Sequence, residues 1–101
     1  SRAEKRATAV GKAIESASAL TRESIKRNIR ESRPSLSGDR LDSYTRKVME
    51  RDPRMKRLSV MRRRLKAIQK NPEAQIEALD RLEVQADQII RTFSGELAEQ
   101  P

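Results

Sequence analysis

The sequence predicts an all-α protein, an elongated antiparallel bundle of four helices. Apolar residues recur at steps of three and four along most of the chain, which is the spacing of one helical face. Only three glycines and four prolines occur in 101 residues, and this favours long helices with few loops. Hydrophobic residues make up 35% and charged residues 38% of the chain, so we expect residues 1–101 to form a single thin domain with a modest core.

The first helix is predicted over residues 2–31, a range without proline. Small and apolar side chains form a narrow seam along one of its faces: Ala3, Ala7, Val10, Ile14, Ala17, Thr21 and Ile25. Small side chains let a neighbouring helix approach closely but bury little area each, so this helix depends on its partners for stability. The same seam suits pairing within one chain or between chains, which leaves the oligomeric state open.

A loop and a short second helix follow the first helix. Pro34 disfavours helical backbone at Arg33, and residues 37–39 combine turn and capping chemistry, so a loop is expected here. The second helix is predicted over residues 40–51. Its apolar face contains Leu41, Tyr44 and Val48, with Met49 alongside.

Two Xaa-Pro steps divide the rest of the chain. Asp52-Pro53 and Asn71-Pro72 each combine a good N-cap residue with proline at the first helical position. Each step therefore predicts the start of a helix. The first step is also compatible with one long helix kinked at Pro53 instead of two separate helices.

The third helix is accordingly predicted over residues 53–70 and the fourth over residues 72–94, with Gly95 as a C-terminal stop. The apolar seam of the third helix is Leu58, Met61, Leu65 and Ile68. That of the fourth helix is Ile76, Leu79, Leu82, Ala86, Ile90 and Phe93.

Charge is distributed unevenly in this chain, whose formal net charge is +8. Residues 53–71 contain eight Lys or Arg and no acid, whereas residues 72–101 contain two basic and seven acidic residues. Helical projection sets four cations of the third helix away from its seam, and we call them the cationic ridge: Lys56, Arg63, Lys66 and Lys70. Three more flank the seam: Arg57, Arg62 and Arg64. All seven are candidate partner-binding residues.

The fourth helix carries acids along one flank of its apolar stripe, namely Glu73, Glu77, Asp80 and Asp87. Like charges at this spacing repel mildly within a helix, and a basic neighbour offsets that repulsion. The third helix is the expected neighbour, which would leave the cationic ridge unneutralised. Val60 and Ala67 project toward the same outward side, so the ridge is either a mixed basic and apolar contact patch or merely a solvated charged face.

The residue content argues against an enzyme. Histidine and cysteine are absent, which removes the common general base, the common metal ligands and the usual nucleophile pairs. No Walker or dinucleotide-binding glycine motif occurs, and carboxylate pairs such as Glu73 and Glu77 have the pattern of a solvated flank. We therefore expect no cofactor and no metal. No apolar run approaches the ~18 residues of a membrane span.

The net positive charge favours an anionic partner, and two classes of partner stay open. Phosphate contacts would give nucleic-acid binding with a salt-dependent affinity, although no zinc-finger, basic-zipper or homeodomain signature appears. On the third helix, Gln69 is the only amide suited to reading bases. The other class is a protein-interaction module that presents a rigid basic surface to an acidic partner.

Residues 47–82 resemble the Bep intracellular delivery (BID) domain. The matching pattern is KVMERDP, then LSVMRRRLKAIQKNPEAQIEALDRL: a basic and aliphatic helix between two short proline junctions, followed by an amphipathic helix. BID domains occur in effectors and conjugative relaxases that type IV secretion systems export. In this resemblance Pro53 and Asn71-Pro72 correspond to the junctions, and the Lys and Arg residues of the third helix to the candidate signal surface.

The resemblance implies an elongated four-helix bundle that acts as a translocation signal, is read by the type IV coupling protein and has no catalysis of its own. Such a protein stays in the bacterial cytoplasm before export and is then translocated into a recipient cell. Signals of this kind are typically followed by a positively charged tail, whereas the ending here, GELAEQP, is acidic. Either a basic tail follows in a longer protein from which this domain is cut, or the signal interpretation fails.

Overall fold

The computed structural model describes the backbone of residues 1–99 and the side chains of residues 1–95, and it shows an all-α fold in this range, as predicted. Its helices are α1 (Arg2–Ser32), α2 (Gly38–Arg51), α3 (Pro53–Ile68) and α4 (Ile76–Glu99), and a 3₁₀ turn, Pro72–Gln75, precedes α4. The molecule measures 51 × 30 × 18 Å, and its radius of gyration of 16.0 Å exceeds the roughly 13 Å of a compact domain of this length. The bundle is therefore elongated. Gln100 and Pro101, the end of the acidic tail, lie outside the described residues.

The longest helix, α1, is the element on which the others pack. Its 31 residues extend roughly 46 Å at the usual rise, close to the 51 Å length of the molecule. It begins with a capping box, in which Ser1 Oγ accepts a hydrogen bond from the Glu4 N–H at 3.2 Å. The seam predicted for this helix is confirmed, since every member from Ala3 to Ile25 is buried, and Ser18 and Ile29 extend it.

The hydrophobic core lies between α1, α3 and α4. Its fully or nearly buried members are Ala7, Val10, Ile14, Ala17, Leu58, Met61, Leu65, Ile68, Leu79, Leu82 and Ala86. The seam predicted for α3 is thus confirmed in full. In the α4 seam Ile76 is an exception, because it is 39% exposed. It lies about a quarter turn from the face formed by Leu79 and Leu82 and so begins α4 without entering the core.

The long helices alternate in direction along the chain. Leu65, late in α3, packs at Gly11, whereas Arg62, earlier in α3, reaches Ser18 further along α1. The helix α3 is therefore antiparallel to α1.

The helix α4 then returns in the direction of α1. Near their starts, Arg6 of α1 contacts Asp80 of α4. Further along, Thr21 of α1 and Phe93 of α4 line one small cavity. Because α4 is antiparallel to α3, the first and last helices of the bundle run side by side in the same sense.

The short helix α2 folds back on the C-terminal end of α1 and stays outside the main core. Thr45 is its one buried residue, and its predicted apolar face is half-buried. The Arg33 guanidinium stacks 4.7 Å above the centre of the Tyr44 ring and ties α2 to α1. Asp52 has extended backbone, with φ −69° and ψ 125°, so α2 and α3 are two helices and not one kinked rod.

The helix boundaries were predicted only approximately, and most of the observed ones lie within about two residues of them. The helix α2 starts at Gly38, before the expected residue 40, while α3 ends at Ile68, before residue 70, and the segment after Asn71 opens as a 3₁₀ turn. The expected stop at Gly95 fails because α4 continues to Glu99. Gly95 keeps right-handed helical backbone, which costs about 1 kcal/mol relative to alanine without ending a helix.

Asp52 fixes the start of α3. Its carboxylate accepts hydrogen bonds from the Arg54 N–H at 2.8 Å and from the Met55 N–H at 3.3 Å. The Arg54 guanidinium also donates to it, at 3.0 and 3.2 Å. These hydrogen bonds, chiefly those from the Arg54 side chain, lower the pKa of Asp52 below its ordinary value of 3.8. The N-cap predicted at Asp52 is therefore confirmed, whereas the side chain of Asn71 makes no capping hydrogen bond.

Asp52→Ala is expected to lower the free energy of unfolding by about 1 kcal/mol at neutral pH, because two backbone N–H groups lose their acceptor. Asp52→Asn keeps an acceptor oxygen and is expected to lose much less. Since the pKa of this carboxyl is lowered in the folded state, its charge-dependent stabilisation is present above the ordinary Asp pKa and is lost as the pH falls through the folded value. Urea unfolding of the three proteins at neutral and acid pH measures this, and equal stability of the Ala variant and the parent at neutral pH would contradict it.

Candidate docking surface on helix α3

The segment from Pro53 to Asn71 presents a dense cationic surface. Seven of its eight Lys and Arg side chains are exposed, and Arg62 is half-buried. Six of the eight have no carboxylate within 4.0 Å among the residues that the structure describes, and these are Lys56, Arg57, Arg63, Arg64, Lys66 and Lys70. All six belong to the predicted partner-binding set.

Among the side chains that the structure describes, the acids of α4 form no ion pair with these cations, contrary to the expectation from the sequence. Asp80 and Glu83 contact Arg6 of α1, and the Arg6 Nη2 to Glu83 Oε1 distance is 3.5 Å. The expected pairing of this acidic flank with the third helix is therefore wrong. Of the four flank acids, Asp80 alone forms an ion pair among the described side chains, and its partner is Arg6 of α1, the helix on which α4 packs most extensively.

Arg62 differs from the other predicted binding residues because it is engaged within the fold. Its Nε donates to Glu15 Oε1 at 2.7 Å, and its Nη2 donates to Ser18 Oγ at 2.6 Å. The Ser18 hydroxyl is fully buried and donates in turn to the Ile14 carbonyl at 3.0 Å. The hydrogen bond from Arg62 lowers the pKa of the Glu15 carboxyl. The hydrogen bonds from Arg62, which we call the Arg62 clasp, link α3 to α1. Arg62 is therefore not a free cation.

The cationic ridge lies along the outside of α3 and continues past its end. Lys56 and Arg63 are seven residues apart, or roughly 10 Å along a helix axis. Lys70 lies in the turn beyond Ile68, so regular helical spacing does not extend to it. Of the two apolar residues predicted on this side, Val60 is half-buried and Ala67 is exposed.

Two grooves border the ridge and bring in cations that sequence reasoning missed. Between α1 and α3, Lys12 lies beside Lys66 and Arg63. Between α3 and α4, Arg81 lies across from Arg64. Helical projection shows which face a residue occupies but not which helix packs beside it, so no signal in the sequence alone would have paired these residues.

Two other kinds of feature are not found in the described part of the chain. Its side chains, those of residues 1–95, bring together no group of three or more acids of the kind that holds a metal ion. None of the helices in this range is long and apolar enough to cross a lipid bilayer.

No family model, curated protein or solved structure matches this chain. The resemblance of residues 47–82 to the BID domain therefore stays a prediction.

The Arg62 clasp can be tested against its neighbour Arg63. Arg62→Met keeps the aliphatic stem but removes the donors to Glu15 and Ser18, so we expect it to lower the free energy of unfolding by about 1 kcal/mol after solvent screening. Arg63→Met removes an exposed and unpaired charge, and its effect is expected to stay within a few tenths of 1 kcal/mol. Urea unfolding of both variants measures the difference. Equal losses in the two variants would show that the clasp contributes nothing.

Proposed function

We propose that this protein is a non-catalytic docking module in which α3 binds an acidic surface of another protein. The observation that supports this most directly is the set of six exposed cations on the outer side of α3, each without a carboxylate partner among the side chains of residues 1–95. A fold that neutralised this segment internally would have no such surface to offer.

The setting of α3 suits rapid and selective association. Its seam is buried in the core, its start is capped by Asp52 and its middle is held to α1 by Arg62. The ridge is therefore presented on a backbone that loses little conformational freedom on binding. Charges at the rim of such an interface raise the association rate and suppress wrong partners more than they raise affinity.

The partner that we propose is the coupling protein of a type IV secretion system, with this chain acting as a translocation signal. The support for this specific partner is the sequence resemblance to BID domains, including Pro53 and the Asn71-Pro72 junction. The proposal implies that the chain is made in the bacterial cytoplasm, is exported through the secretion system and reaches a recipient cell.

Nonspecific nucleic acid is the second candidate partner, favoured by the absence of acids between Pro53 and Asn71. The aromatic side chains argue against a single strand. Phe93 is 7% exposed and belongs to the interior, while Tyr44 is on α2 and is covered by Arg33. Neither offers a free ring beside the ridge on which the bases of a single strand would stack. Duplex binding through phosphate contacts needs no such ring and is separated from protein binding by the salt titration below.

Charge reversal of the ridge tests the proposed signal. The triple variant Lys56→Glu, Arg63→Glu and Lys66→Glu, fused to a reporter, is expected to reduce transfer through a type IV system by at least about tenfold. The matched control is the triple variant Arg40→Glu, Arg46→Glu and Lys47→Glu, which makes the same change in net charge on exposed positions of α2. The control is expected to transfer like the parent. A folded parent fusion that does not transfer, or equal losses in both variants, would refute the signal.

A salt titration separates the two candidate partners. We expect the parent to bind duplex DNA weakly at physiological ionic strength, because phosphate contacts alone give a weak nonspecific affinity and Gln69 is the only amide of the predicted third helix suited to reading bases. Fluorescence anisotropy with a labelled duplex at two salt concentrations measures this. Submicromolar binding that weakens steeply with salt and is lost in the ridge variant would assign the surface to nucleic acid instead.

A further inference from the structure

A second surface feature lies on the α4 side of α3, in the groove between these two helices. Its floor is apolar and consists of Ile68 and Leu82, which are buried, and Ala78, which is half-buried, while the exposed Ala67 lies at its edge. Alanine on both helices leaves space where larger side chains would meet, and the resulting groove has a volume of about 490 Å³. Ile68 and Leu82 are buried, so the floor of the groove is continuous with the hydrophobic core.

The walls of this groove are cationic on both sides. Arg64 stands on the α3 wall and Arg81 on the α4 wall, and both side chains are exposed. The amides of Gln75 and Gln85 complete the polar lining, which includes no acid. Neither arginine has a carboxylate within 4.0 Å among the side chains of residues 1–95. Asp80 and Glu83, which are close to Arg81 in sequence, contact Arg6 instead.

We infer that this α3–α4 groove binds an acidic amphipathic segment of a protein partner. The apolar face of the segment packs on the apolar floor, and its carboxylates lie between Arg64 and Arg81. Guanidinium groups on two facing walls match carboxylates on the two flanks of one inserted helix, and an amphipathic helix in a groove is a common mode of peptide recognition. An apolar floor without an aromatic ring offers nothing on which a nucleic-acid base would stack.

The inference goes beyond the proposed function because it requires neither secretion nor the cationic ridge. Lys66 and Arg63 border the groove on the α1 side, whereas this groove opens on the α4 side. Of the lining residues, Arg64 was already a predicted binding residue, while Arg81 and the apolar floor add a distinct site.

The test uses a synthetic helical peptide of about sixteen residues with leucine along one face and glutamate on both flanks. The full chain is titrated with the labelled peptide and binding is followed by fluorescence anisotropy. The double variant Arg64→Gln and Arg81→Gln is expected to weaken binding about tenfold, as the loss of two charge pairs implies. Ala67→Leu places bulk at the edge of the floor, at an exposed position, and is expected to weaken binding to a similar extent while the helical circular dichroism stays unchanged.

Two controls make the result specific to the groove. Arg46→Gln with Arg91→Gln removes the same charge from exposed positions elsewhere and is expected to bind like the parent. A peptide with glutamine in place of glutamate is expected to bind at least about tenfold more weakly. Parent-like binding by the Arg64 and Arg81 variant or by Ala67→Leu would overturn the inference.

The groove and the ridge are distinguished by the triple variant Lys56→Glu, Arg63→Glu and Lys66→Glu. It is expected to lose reporter transfer but to retain most of the peptide binding. Loss of peptide binding in that variant, with binding kept in the Arg64 and Arg81 variant, would place the peptide on the ridge and overturn the inference. Displacement of the peptide by an equally charged DNA oligonucleotide at physiological salt would identify a general anion site and would overturn it as well.

Discussion

The packing of α1 against both α3 and α4 is the interaction on which the rest of the structure depends. With 35% hydrophobic residues, the chain has little apolar surface to bury, and it concentrates that surface on this one junction. Val10, Ile14 and Ala17 are at most 1% exposed because the small residues of the α1 seam let two helices approach at once. Contacts between α3 and α4 themselves are sparser, so without α1 these helices have little to hold them together.

The same packing determines where charge is neutralised. From its two flanks, α1 supplies Arg6 to the acids of α4 and Glu15 to Arg62 of α3. These pairs bring opposite charges together close to the helix junctions, although the buried Arg6 Nε has no hydrogen-bond partner in the described part of the chain, and the outward cations of α3 stay in solvent. The free positive surface is thus a consequence of the order in which the helices pack, in addition to the acid-poor sequence of α3. The open groove beside Arg64 and Arg81 has the same origin, because α3 and α4 each face α1 more closely than they face each other.

The sequence was sufficient for features that depend on one helix at a time. Even the polar residue Thr21 was assigned correctly to the buried seam of α1. A spacing of three to four residues identifies the buried face of a helix even where one position on that face is polar. Features that depend on which helix lies beside which were missed, such as the pairing of Arg6 with the α4 acids and the placement of Arg81. Gly95 was misjudged for a local reason, since glycine permits a helix end but does not force one. Ile76 was assigned to the α4 seam because it lies three residues before Leu79, but a 3₁₀ turn leads into α4 just before it and Ile76 stays 39% exposed.

Side-chain NMR of the arginines tests the central claim most directly, because it reports which guanidinium groups are held and which are free. Solvent exchange and ¹⁵N relaxation of each Nε–H distinguish an ordered, hydrogen-bonded group from a mobile one. The account predicts slow exchange and low mobility for Arg62, and fast exchange with high mobility for Arg63 and Arg64. An Arg63 or Arg64 Nε–H as protected as that of Arg62 would show that the supposedly free cations are neutralised within the fold, and would contradict the account.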